Sequence, residues 1–100
     1  MTSTGPEITI HARGMFGNFI TVKIDDTELF AKLQEKVAEI RKVPSKRVLL
    51  RHITSDSTHF KIGDLKYPDG RYGIVLDKDK TLREQNVGDE SYFDLMIRLV

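Results

Sequence analysis

Two stretches of strict alternation flank a glycine-bearing turn near the start of the chain, and they limit what it can become. Ile8, Ile10 and Ala12 alternate with Thr9, His11 and Arg13, and Ile20, Val22 and Ile24 alternate with Thr21 and Lys23. A period of two puts the apolar set of each stretch on one face of a strand. Gly14-Met15-Phe16-Gly17-Asn18 lies between them as a turn. The pair is an antiparallel hairpin with one apolar face. Such a hairpin is not stable alone in water and needs a cover.

The cover follows directly. Asp25-Asp26-Thr27-Glu28 opens a helix, with Asp26 or Thr27 placed to cap its free amides. Phe30, Leu33, Val37 and Ile40 recur at spacings that form one helical face. Glu28 and Lys32 are spaced to pair on the outside. Arg41 and Lys42 suit the negative end, and Pro44 forbids continuation. Val48 and Leu50 then predict a third strand facing inward, with Leu49 and Arg51 outward. Residues 52–72 are polar, and Tyr67-Pro68-Asp69-Gly70-Arg71 within them is a turn flanked by Phe60-Lys61-Ile62 and Tyr72-Gly73-Ile74-Val75-Leu76 as short strands. At the end Phe93, Leu95, Ile97 and Leu99 alternate with Asp94, Met96 and Arg98, which predicts a central strand. The right-handed crossover rule lets this last strand enter parallel to the first. The expected fold is α+β: a mixed sheet packed on one helix, a β-grasp.

Composition narrows the function. The 100 residues carry 16 basic and 15 acidic side chains, net charge +1, and no cysteine. That length fits one domain, taken as 8–100 behind a tail of residues 1–7. The missing cysteines exclude a disulfide framework, a thiolate zinc site and a thiol nucleophile. No apolar run is long enough for a membrane span or a signal peptide, so cytoplasm or nucleus is the expected location. The near-neutral charge excludes strong global attraction to nucleic acid.

The residues also resemble a known family. Thr81-Leu82-Arg83-Glu84-Gln85-Asn86-Val87, then Glu90-Ser91 and a strand ending Ile97-Arg98-Leu99, are similar to the closing segment of ubiquitin. There a Thr-Leu-x-x-x-Asn-Ile turn precedes Glu-Ser and a strand ending Leu-Arg-Leu. The segment from Ile8 to Val43-Pro44 is also similar, without a gap. Together the two segments cover about three quarters of the chain. The resemblance implies the ubiquitin-like β-grasp, and it implies function less directly. An insertion of about 19 residues lies between His52 and Lys80, and a β-hairpin turning at Asp69-Gly70 is expected there.

Ubiquitin-like modifiers end in Gly-Gly, whereas this sequence stops at Arg98-Leu99-Val100. The expectation is therefore a non-catalytic interaction domain that docks a protein partner in a ubiquitin–proteasome-related pathway. A modifier lacking its tail in this chain, and a scaffold subunit working through the inserted hairpin, stand as alternatives. In ubiquitin, receptors grip an apolar patch on the first loop, the third strand and the last strand. The matching residues are Met15, Arg51, Asp94 and Met96, with Leu49 and Arg98 beside them. A one-residue slip in the third strand would put Leu50 in place of Arg51. Arg51 and Asp94 are polar where the family's patch is apolar or histidine, which disfavours ordinary ubiquitin receptors. Lys36 matches one chain-linking lysine of the family, while Gln34 and Asp89 stand where two others would be, so chain building is not expected.

Other candidates read as ordinary structure. His11, His52 and His59 have no metal-ligand spacing and are taken as surface histidines. Ser55, Asp56, Ser57, Thr58 and His59 contain triad residue types within one loop, without a nucleophile elbow. Gly14 and Gly17 precede a strand and not a helix, so they do not form a phosphate loop. Arg41, Lys42, Lys46, Arg47 and Arg51 form a basic run without an aromatic platform, suited to an acidic protein more than to nucleic acid. Met15-Phe16 at a loop tip is a candidate anchor. No enzyme activity, cofactor, metal or membrane contact is expected, and the chain is expected to be a monomer.

Overall fold

The computed structural model describes residues 6–14, 17 and 19–98. The opening alternations form β1 (Glu7–Arg13) and β2 (Phe19–Asp25), paired antiparallel from Glu7 opposite Asp25 to Arg13 opposite Phe19. The strand starts one residue earlier than expected, because the Pro6 carbonyl accepts the Asp26 amide and draws Glu7 into the ladder. The inward residues Ile8, Ile10, Ala12, Ile20, Val22 and Ile24 are all buried.

The helix α1 spans Phe30–Arg41 and closes the core with Phe30, Leu33, Val37 and Ala38. Ile40 departs from the expected face and is 50% exposed. At ~100° per residue, Ile40 and Ala38 lie on opposite sides of the Phe30 direction, and the sheet takes the Ala38 side. The helix start also differs. Its cap residue is Leu29, which makes no side-chain cap bond. The Phe30 and Ala31 amides instead donate to the Lys80 and Lys78 carbonyls at 3.0 and 3.2 Å. Asp26, one of the two expected caps, pairs with the Arg83 guanidinium at 2.9 Å. Lys32 lies 3.9 Å from Glu35, not against Glu28, because Glu28 falls outside the helix. At the far end Lys42 takes a left-handed conformation, and the Val43 amide reaches back to the Ala38 carbonyl.

A 3-10 turn at Ser45–Arg47 leads into β3 (Val48–Thr54), with Val48 and Leu50 buried as expected. Leu50 is 1% exposed, so the one-residue slip does not occur and Arg51 faces outward. The inserted stretch contains a hairpin of β4 (Leu65–Lys66) and β5 (Tyr72–Ile74). Its turn sits where expected: Gly70 N–H donates to the Tyr67 carbonyl and Gly70 takes φ 90°. The first arm is Leu65–Lys66 and not Phe60–Ile62, whose Ile62 is wholly exposed. The last strand, β6 (Ser91–Ile97), runs parallel to β1 and antiparallel to β3. The sheet order is β2-β1-β6-β3-β5-β4, so β6 is central and the insertion extends the β3 side. The expected β-grasp is what forms.

Candidate functional site

The sheet has one face on the helix and one outward face. Register decides which side chains meet on the outward face. Leu49 stands opposite Met96, and Arg51 opposite Asp94. On the other flank of β6, Arg13 stands opposite Asp94 and His11 opposite Tyr92. Four of the six expected contact residues, Leu49, Arg51, Asp94 and Met96, thus form two adjoining cross-strand pairs. Arg98 follows β6 on the surface, its amide donating to the Arg47 carbonyl at 2.7 Å. Met15, and Phe16 beside it, lie outside the described residues. The basic run does not gather here: Arg41 and Lys42 end the helix, Lys46 and Arg47 lie on the 3-10 turn, and only Arg51 reaches this face.

The inserted hairpin changes this face, and sequence reasoning missed how. Tyr67, at the end of β4, reaches back across the sheet and donates its phenol O–H to the Asp94 carboxylate. Burial, then the hydrogen bond to Asp94 and that residue's charge, push the Tyr67 phenol up to about 12. Arg13 approaches the same carboxylate to 3.8 Å. Arg51 has no carboxylate within 4.0 Å among the described residues, and its Nε is buried without a hydrogen-bond partner. Tyr67 can lie this low because β5 has a glycine beneath it. A Cβ on Gly73 would stand 2.8 Å from the Tyr67 Oη. A glycine inside a strand run is a known sign of close approach, so this feature had a sequence signal.

The exposed apolar side chains around this network are Phe19, Leu65, Tyr92 and Met96. Tyr92 stacks on the His11 ring at 5.0 Å, and His11 Nε2 lies 2.6 Å from Glu90. The remaining histidines separate. His52 is a core residue, which corrects its reading as a surface histidine. It is 7% exposed and stacks on Phe93 at 5.0 Å. Burial, aided by His59, lowers it to about 4. The Ser55–His59 loop is an Asp56-centred turn, in which the Asp56 carboxylate accepts from the Thr58 amide and hydroxyl.

A mixed sheet closed by one helix, with the last strand central and parallel to the first, defines the β-grasp class. Within that class the fold is ubiquitin-like. The ubiquitin-like domain of the Arabidopsis thaliana protein At2g32350 matches with a TM-score of 0.68 and 17% identity, over 99% of this chain and 85% of that one. Caldiarchaeum subterraneum ubiquitin matches at 0.67 and 18%, over 95% of this chain and 98% of its own. A de novo design based on ubiquitin matches at 0.62 and 21%, over 98% and 95%. No protein-family model and no curated protein sequence matches the chain.

Proposed function

We propose that the chain is a non-catalytic docking module that binds a partner protein through the outward face of its sheet, in a cytoplasmic or nuclear pathway related to the ubiquitin–proteasome system. The observation that carries this reading is the paired register of Leu49 with Met96 and of Arg51 with Asp94 on the outward face of a ubiquitin-like sheet. A 39% exposed methionine beside a half-buried leucine offers an adaptable apolar contact. The polar pair next to it selects against partners that bury a purely apolar patch. Tyr67 joining Asp94 supports a role for the inserted hairpin in shaping the same face.

A chemical-shift titration of the isotopically labelled chain tests this. The titrants are a proteasomal ubiquitin receptor domain and a ubiquitin-binding helix. The expected result is perturbation at Leu49, Arg51, Asp94, Met96 and Arg98 by at least one titrant, lost in Met96→Asp. Shifts confined to the helix side, or none at high ligand concentration, would remove the ubiquitin-related reading.

A further inference from the structure

One of the basic residues that miss the outward face, Lys46, meets two others from distant parts of the chain. They stand around a hollow of about 450 Å³ where the start of α1, the start of β3 and the 75–78 stretch come together. That volume is in the range of sites that hold a few side chains. The three cations are Lys46 on the 3-10 turn, Lys78 in the 77–81 turn and Arg98 after β6. The fold fixes each of them there. The Lys78 carbonyl accepts the Ala31 amide at 3.2 Å, and the Arg98 amide donates to the Arg47 carbonyl at 2.7 Å. Lys46 is carried by a turn that the Arg47 amide closes on the Pro44 carbonyl at 3.0 Å.

Negative charge is scarce around them. The lining holds one carboxylate, Glu35, and Lys32 already lies 3.9 Å from it. Lys46, Lys78 and Arg98 have no carboxylate within 4.0 Å among the described residues. Asp77 and Asp79 flank Lys78 in sequence but stand outside the lining, and the Asp77 carboxylate accepts the Asp79 amide at 2.9 Å. Neutral donors add to the cations. The Gln34 side-chain amide donates to the Val48 carbonyl at 3.5 Å, and its second N–H has no acceptor among the described residues. The complement of this lining is an anion. A nucleic acid suits it poorly, because the one aromatic ring present, Phe30, is 1% exposed and offers no stacking platform. The half-buried Leu49 and Val75 are apolar surface that the stems of acidic side chains can cover and a phosphate cannot.

We propose that this hollow receives an acidic segment of a partner protein, whose neighbouring Asp or Glu side chains pair with Lys46, Lys78 and Arg98. The arginine takes a carboxylate through its planar fork, and the two lysines act as point charges on flexible stems. The site shares Leu49 and Arg98 with the expected contact residues, so it adjoins the outward face without depending on it.

Titration of the full isotopically labelled chain with an acetylated hexapeptide of alternating Asp and Glu, at low salt, tests it. Saturable shifts are expected at Gln34, Lys46, Leu49, Lys78 and Arg98, and affinity should fall as salt rises. Lys46→Glu and Lys78→Glu, both at exposed positions, should each weaken the peptide about fivefold or more. Glu35→Gln should strengthen it about twofold, since it removes the carboxylate on the lining. Lys23→Glu makes the same change in net charge on β2 and should leave affinity within about twofold. Met96→Asp should also leave the peptide within about twofold, whatever happens to receptor binding, so the two readings fail separately. No saturable shift, shifts centred on Arg13 and Arg51, an equal loss in Lys23→Glu, or equally tight binding of inorganic phosphate or a single-stranded oligonucleotide at the same residues would each overturn the proposal.

Discussion

His52 shows how one residue couples the fold to pH. Its ring packs against Phe93, and burial pushes it down to about 4 from 6.5 in an open chain. Between those values the unfolded chain binds the extra proton and the folded chain does not. Stability from this group is therefore complete above about pH 6.5 and is lost as pH falls toward 4, by about 3 kcal/mol in all. Urea midpoints measured across that window should fall for the natural chain and stay flatter for His52→Leu. Gln85 is the other buried polar side chain of consequence. Its carbonyl oxygen accepts the Asp77 amide at 2.7 Å, and its amide donates to the Asp77 carbonyl at 3.0 Å. Gln85→Ala removes both bonds to the Asp77 backbone and should cost about 1–3 kcal/mol by denaturant unfolding. The inward place of His52 was legible, since it shares parity with Val48 and Leu50. The polar run that begins at His52 hides it, because β3 continues through that run to Thr54. The place of Gln85 was not legible, because nothing local marks a side chain that reaches eight residues back.

At the scale of elements, the same glutamine reaches the helix. It fixes the 77–81 turn, whose Lys78 and Lys80 carbonyls cap the first amides of α1. The capping partners lie about 50 residues away in sequence, so no local N-cap signal could reveal them. β1, β2, β3 and β6 were legible because each alternates over several residues against one buried face. β4 was not, because two residues carry no period. The inserted hairpin gives a test of its own. Gly73→Ala would push the Tyr67 phenol off its seat, at little cost to the core because the displaced group is a side-chain end. Stability should change by about 1 kcal/mol or less. The Tyr67 ionisation, followed by absorbance with Tyr67→Phe as the blank, should fall from about 12 toward 10.0.

For the whole molecule, the insertion is part of the fold and not an appendage. β5 pairs with β3, and Ile74 and Leu76 are both in the core. Excising residues 57–75 should therefore cost more than a single large-to-small core substitution, about 2–5 kcal/mol, and thermal melts should show it. Point changes at Tyr67 or Met96 are the cleaner probes of docking. The expected contact face was legible in register but not in relief. Alternation told which residues point outward, while the tyrosine that partitions them arrives from a loop whose path depends on tertiary packing. The strand order has one more consequence, for self-association. A sheet can template a second chain only along an unpaired rim, and among the described residues this one has two. On the insertion side the rim is β4, two residues long and ending in Lys66, too short to seed an added strand. On the other side it is β2, with seven residues and a single lysine, Lys23, among β-branched neighbours. Any aggregation of this protein through backbone pairing should begin at β2, and Lys23→Val should lower the concentration at which light scattering first rises.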